Sequence, residues 1–443
     1  MRPLTLACAI AACACNGNVG TIAVKLTTAP NSTILDNAET LQVTITNPRK
    51  VTTVTRTSNG FDFAVDLSAS GDTSQIVIDA LDGSGAELAT GASPTFPLGA
   101  ITAEIVIYMA APNSVGEAPV TMSPARSRIG GGTLSYGAVF AGGVDATGAP
   151  TTSIQIYNAY DHQLVDGLAL PAPRAGLALG VGASAALYLF GGSDANGAPT
   201  SHLWRFDTSV APSGAFTDYG AHSGLERSDA RAVPLGNDVY LVTGTPAADL
   251  DGTSGSVAAR TDIAGLPAVG ATVLASDSVL TSMFADATGV QRLRAGAFDQ
   301  PAIAGALRTG HELIGVPGGA FLIVCGGAAT PDAIRIDALT LAVQTFPGVP
   351  SVPRAACAIA ETSRHVVIAG GDTGSGVSGA VDVYDASSLA LVTTAQLVVP
   401  RKGAVAIALP NDQVLIAGGV DGTGAPVATL ELFTPAAPAA PGT

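Results

Sequence analysis

Charge is scarce in this chain. Asp, Glu, Lys and Arg make up 12% of its 443 residues, about half the share usual in globular proteins. With 47% hydrophobic residues beside it, that balance excludes a disordered chain. Only 20 residues are Lys or Arg, they form no basic run, and the formal net charge is −15. Binding along a nucleic-acid backbone needs clustered cations, so that partner is excluded. The five histidines are His162, His202, His222, His311 and His365, and none forms a His-x-x-x-His spacing. The five cysteines contain no C-x-x-C pair. No metal and no cofactor is therefore expected. Serine nucleophile elbows are missing as well: in Gly252-Thr253-Ser254-Gly255 the second glycine comes one residue early. Scarce glutamate counts against a two-carboxylate glycosidase. No apolar stretch approaches the roughly 20 residues that span a bilayer.

The N-terminus is a targeting segment. Arg2 supplies the positive charge, Leu4 to Ala12 a short apolar run, and Ile10-Ala11-Ala12-Cys13 small residues before a thiol. This resembles the lipobox of bacterial lipoproteins. The resemblance implies a signal over residues 1–12 and a lipid on Cys13, with Cys15 as the alternative, followed by a tether over 13–20. The chain is then an exported, membrane-anchored lipoprotein of the cell envelope, at the outer membrane or facing the periplasm. Acyl chains are its only expected membrane contact. Cys325 and Cys357 could pair in an oxidising compartment, but the expectation is two small buried hydrophobes.

Residues 21–110 are rich in Val, Ile and Thr, in short alternating runs such as Leu41, Val43, Ile45 and Phe61, Phe63, Val65. Asn59-Gly60 and Asp82-Gly83 mark turns between them. This pattern predicts a β-sandwich similar to immunoglobulin or fibronectin modules. Residues 111–117 read as a linker.

A repeat then begins. Gly142-Gly143-Val144-Asp145, Gly191-Gly192-Ser193-Asp194 and Gly418-Gly419-Val420-Asp421 each follow an apolar run. Each leads to an aromatic residue, Tyr157, Phe206 or Phe433. Gly370-Gly371 leads likewise to Tyr384, and Gly326-Gly327 to Ile336. Gly244, with Thr245 in place of its partner, and the run ending at Phe284 supply two degenerate units. Pro-Arg elements recur between units at Arg174, Arg354 and Arg401, with a looser one at Arg126. Arg231 and Arg308 are possible equivalents. The period of 40–50 residues is that of a propeller array.

Glycine pairs, nearby aromatics and Trp204 together resemble Kelch repeats. The resemblance implies an all-β chain: a Kelch-like β-propeller over residues 118–434, preceded by the small sandwich. Seven blades are expected, six being the alternative count. A strand from Ala118 to Met122 would close the last blade, and residues 435–443 would be a disordered tail. The glycines provide left-handed turns, and Asp145, Asp194 and Asp421 bond nearby amides in tight turns. Arg126, Arg174, Arg354 and Arg401 recur at one phase. They are either blade struts or a ring that binds an anionic sugar or carboxylate.

No catalytic residue is expected. The reading is a binding or scaffold protein that contacts protein or glycan at the cell surface through propeller loops. The loops at 208–230 and 245–256, near Trp204, Phe216, Tyr219 and His222, are candidates. The alternative is a carbohydrate-active enzyme, similar to propeller oxidases or sialic-acid mutarotases, with its site in the central channel. The sequence says nothing of oligomeric state.

Overall fold

A computed structural model describes residues 19–58, 60–61, 63–68, 71–99, 102–183, 186–210, 213–326 and 332–437. The targeting segment and the candidate lipid sites Cys13 and Cys15 lie outside them, as do Asn59 and Gly327. The described chain is all-β, interrupted by a single turn of 3-10 helix at Ser223–Leu225.

Alternation sets the first part. Leu41, Val43 and Ile45 point into a core and are at most 3% exposed. Their strand, Thr40–Thr46, pairs with Arg49–Thr55 and Ile76–Leu81, and Glu87–Ala92 completes a four-stranded sheet. Val19–Thr27 lies between Phe63–Ser68, antiparallel to it, and Thr102–Tyr108, parallel to it. The two sheets share one core, built on Ile22, Val24, Ile78, Ile105 and Ile107. Residues 19–20, read as tether, already belong to the first strand. The strand Glu87–Ala92 is not evident in the sequence, because small residues dominate it. They are required there: a Cβ on Gly91 would lie 2.4 Å from the Tyr108 carbonyl.

Seven four-stranded antiparallel sheets follow among the described residues. Their first strands are Gly130–Leu134, Ala178–Val181, Ala232–Gly236, Val269–Leu274, His311–Val316, Ala358–Glu361 and Val405–Ala408, here blades I to VII. Neighbouring first strands touch in order around a ring, and the last touches the first. The chain is a β-propeller. Second strands such as Ala186–Phe190 and His365–Ala369 are buried along their whole length, because blades cover both of their faces.

Blade VII is made from both ends of the ring. Ser114–Thr121 pairs with Thr429–Thr434, Val115 opposite Phe433 and Glu117 opposite Glu431. Residues 114–117, read as linker, are therefore strand. Gly116 and Pro119 obscured it; this is an edge strand whose register shifts between Glu117 and Thr121, and edges tolerate proline. Part of the expected disordered tail is also held. Arg364 donates to the Ala436 carbonyl (3.0 Å), and the Ala436 amide donates to Asn113 Oδ1 (2.9 Å).

The sandwich docks on one face of the ring, where turns join first to second and third to fourth strands. Asn411 donates to the Ala92 carbonyl (3.0 Å), and Tyr160 donates to that of Thr95 (2.7 Å). His162 is sealed in this junction at 0% exposure. Its Nε2 accepts the Tyr108 amide (3.2 Å), and its Nδ1 lies 2.6 Å from the Tyr157 hydroxyl. The accepting Nε2 fixes the neutral form, with the proton on Nδ1. Burial lowers the imidazole from 6.5 to about 4. The unfolded chain therefore takes up its proton first as pH falls. The junction's contribution is complete above pH 6.5 and is lost between 6.5 and about 4, a loss of up to roughly 3 kcal/mol. Urea midpoints measured across this window should fall more steeply for the native chain than for His162→Gln. Equal slopes would show that His162 is not the group responsible.

Candidate functional site

The recurring arginines are struts. Arg126, Arg354 and Arg401 are 0% exposed and Arg174 is 6% exposed. Arg126 donates to the Gly142 carbonyl (2.6 Å) and to Gln155 Oε1 (2.7 Å). Arg354 reaches the Ile368 carbonyl (3.1 Å) and Asp382 (2.9 Å). Arg401 reaches the Thr429 carbonyl (2.7 Å) and Glu431 (2.5 Å). Arg174 lies over the Trp204 ring, 4.7 Å from its centroid. The guanidinium groups of Arg126, Arg354 and Arg401 thus tie the end of a second strand to the third strand of their own blade, while that of Arg174 meets the third strand through Trp204 and bonds the Pro173 carbonyl (2.8 Å). Burial lowers the Arg126 guanidinium to about 10.

Arg308 is a true equivalent, bonded to the Cys325 carbonyl (3.2 Å). Arg231 is not. Its expected place belongs to Arg227, which donates to the Thr243 carbonyl (2.7 Å). Gly244 itself stands in the second-glycine position rather than the first. Its φ of 115° matches the second glycines, Gly143 at 104° and Gly371 at 116°.

The glycine pairs have two duties. Gly142, Gly191, Gly370 and Gly418 hold φ between 59° and 64°. The second glycine donates its amide to the arginine carbonyl of the next blade: Gly143 to Arg174, Gly192 to Arg227 and Gly371 to Arg401, each 2.8 Å. In blade V the pair is Cys325-Gly326 rather than Gly326-Gly327, since Gly326 donates to Arg354 (3.1 Å). Cys325 holds φ 61° in the first-glycine position. It is bonded to Cys357 at the start of blade VI. The two cysteines, expected as separate hydrophobes, form a disulfide.

Among the rim-loop candidates, Trp204 is buried and Phe216, Tyr219 and His222 are half-buried. Ala215–Ala221, Ala248–Asp251 and Ser256–Ala259 are strands. Phe216 packs on Phe206 with ring centroids 4.7 Å apart, and the Tyr219 ring covers Gly255. His222 bonds the Tyr219 carbonyl (3.1 Å).

The central channel is also open. A cavity of about 560 Å³ is bounded by the first strands of the blades, on the ring face opposite the sandwich. That size suits a small ligand. Its walls combine backbone polar groups with aliphatic side chains, Leu179, Val233, Ile314, Ile359, Val405 and Ile407 among them. Four charged side chains stand in the lining. Arg128 pairs with Asp229 at 2.7 Å, and Arg231 pairs with Glu312 at 2.8 Å.

The mouth is a ring of left-handed residues, one before each of six first strands. They are Arg128, Gly176, Asp229, Gly310, Ala356 and Gly403, with φ between 50° and 67°. Amides donate to the preceding blade's carbonyl from Gly176 to Arg128 and from Asp229 to Gly176. The same bond runs from Ala356 to Gly310 and from Gly403 to Ala356. Glycine suits this conformation, and a long side chain does not. Arg128 and Asp229 nonetheless carry charge there, and they meet across Gly176. A Cβ on Gly176 would lie 2.3 Å from Asp229 Oδ1 and 2.9 Å from Arg128 Nη2. Glycine in blade II thus leaves room for the ion pair. Sequence reading missed Arg128 and Asp229 because charge does not recur at their phase of the repeat, and Glu312 because it lies within a first strand. The available signal was non-repetition: charges at a position other blades fill with Gly or Ala.

No family model matches the chain, and no curated protein matches its sequence. Among solved structures, one described as "Structure of YjhT" is similar to it at 14% identity and a TM-score of 0.45, covering 72% of this chain and 96% of that one. By its own geometry the chain is an all-β β-propeller, open at one channel mouth where two ion pairs stand among aliphatic side chains.

Proposed function

We propose that this chain is an exported binding protein of Kelch-repeat type. An immunoglobulin-like sandwich stands between its lipid anchor at Cys13, or Cys15, and its propeller. The channel mouth carries this reading. It is a preformed cavity in which two of the four charged groups, Arg128 and Asp229, occupy strained backbone positions that the fold does not require to be charged. It opens on the ring face away from the sandwich, so a tether through the sandwich leaves it accessible. Both carboxylates at the mouth are matched to guanidinium groups, an arrangement suited to recognition more than to proton transfer.

Of the two partner classes, protein and glycan, the lining favours a peptide. The described residues that bound the cavity include no aromatic ring for a sugar to stack on, and aliphatic side chains stand among them. The test screens residues 16–443 in parallel against a glycan array and a displayed peptide library, with Arg128→Gly as the control. Specific binders that the variant no longer retains are the expected result. Binders indifferent to Arg128→Gly would move the site elsewhere, and turnover of a captured sugar would overturn the non-enzyme reading.

A further inference from the structure

We infer that the channel mouth takes a short aliphatic peptide with both termini free, held as a zwitterion. This rests on the reading of the mouth as the binding site.

The first argument is charge. Arg128, Asp229, Arg231 and Glu312 sum to zero, two cations and two anions. A ligand with a carboxylate alone would meet Asp229 and Glu312 as well as the arginines. A ligand with an ammonium alone would meet Arg128 and Arg231. A zwitterion can exchange partners with the two ion pairs: its carboxylate takes a guanidinium, and its ammonium takes a carboxylate. No unmatched charge is left behind.

The second argument is exposure. Side-chain exposure is 46% and 59% in the Arg128–Asp229 pair, and 43% and 18% in Arg231–Glu312. Such solvated pairs hold together weakly and give way readily to a better partner. The buried pairs Arg354–Asp382 and Arg401–Glu431, at 0–1% exposure, are closed to any ligand. Other solvated pairs, such as Lys402–Asp372 and Lys25–Glu104, stand outside the channel; the two at the mouth line the cavity itself.

The third argument is the opposite wall. Blades VI and VII contribute Ala356, Ile359, Ala404, Val405 and Ile407, with no charged residue among their contribution to the lining. A ligand fixed by its ends on the charged side therefore lays its body on aliphatic surface. Aliphatic side chains gain from this burial.

The test is isothermal titration of residues 16–443 with leucyl-leucine. Controls are N-acetyl-leucyl-leucinamide, which has the same body without charges, and octanoate, which has an anion and an aliphatic body only. Leucyl-leucine should bind and raise Tm, and both controls should bind at least about tenfold more weakly, the scale of a lost charged hydrogen bond. Arg128→Gly should lose about tenfold in affinity for leucyl-leucine. It should keep the native Tm, because glycine suits the left-handed backbone. Arg231→Gln should weaken binding similarly. Equal binding of the blocked dipeptide, or unchanged affinity in both variants, would overturn the inference. So would failure of leucyl-leucine alongside a glycan or protein binder that Arg128→Gly abolishes, and in that case the mouth remains the site. If nothing binds in a way that depends on Arg128 or Arg231, the reading of the mouth falls with it.

Discussion

Glu431→Ala should cost about 3–5 kcal/mol of stability, the usual penalty for removing one partner of a buried ion pair. Glu431 and Arg401 are both 0% exposed. The carboxylate also accepts the amides of Val398 (2.7 Å) and Val399 (3.2 Å). Burial pushes the Glu431 carboxyl upward, and Arg401 opposes that shift. Without the carboxylate, a guanidinium stays buried in blade VII with carbonyl partners alone. Blade VII is also where the two ends of the ring meet, so the loss falls on closure. The double change Arg401→Met/Glu431→Leu should recover most of the loss, because it buries no charge. Urea midpoints on the single and double variants decide the matter. A single variant within about 1 kcal/mol of native would show that the pair contributes no more than a surface one.

Reduction of the Cys325–Cys357 bond should cost about 3–4 kcal/mol. This follows from the loop-entropy relation for cysteines separated by 32 residues. The bond replaces a contact that other blade boundaries make without covalency. A Cβ on Gly142 would lie 2.6 Å from Leu177 Cδ2, and one on Gly418 would lie 2.8 Å from Ile129 Cδ1. Leu177, Ile129 and Cys357 all stand three residues after a strut arginine. At the V–VI boundary, cysteine therefore takes the glycine position and its partner takes the position of the large aliphatic. The variant Cys325→Gly/Cys357→Leu restores the arrangement of the other boundaries. Its Tm should ignore dithiothreitol and lie between those of the oxidised and reduced native chain. If the native Tm is itself insensitive to reductant, the disulfide adds nothing to stability.

Architecture was legible where the chain repeats itself. Glycine pairs, tight Asp turns and buried aromatics recur because every blade solves one packing problem, and repetition exposes the solution. Tyr157, Phe206 and Phe433 are all 0% exposed, as their phase implied. Register was less legible. Thr243 and Cys325 hold left-handed or adjoining positions usually given to glycine, so pairs built on visible glycines slipped by one residue. The strand Ser114–Thr121 was partly hidden because its partner lies more than 300 residues away, beyond any local pattern. The candidate site was least legible of all. Repeating arginines drew attention, yet repetition here marks architecture. The exposed charges of the mouth come from separate blades, and only the closed ring brings Arg231 to Glu312 across 81 residues.

Closure has a consequence for timing. A ring sealed by pairing Ser114–Thr121 with Thr429–Thr434 cannot be completed before Thr434 has been made. At a synthesis rate of roughly 5–20 residues per second, the first of these strands waits on the order of 15–60 seconds for its partner. Until then six blades stand as an open arc with both flanks unsealed.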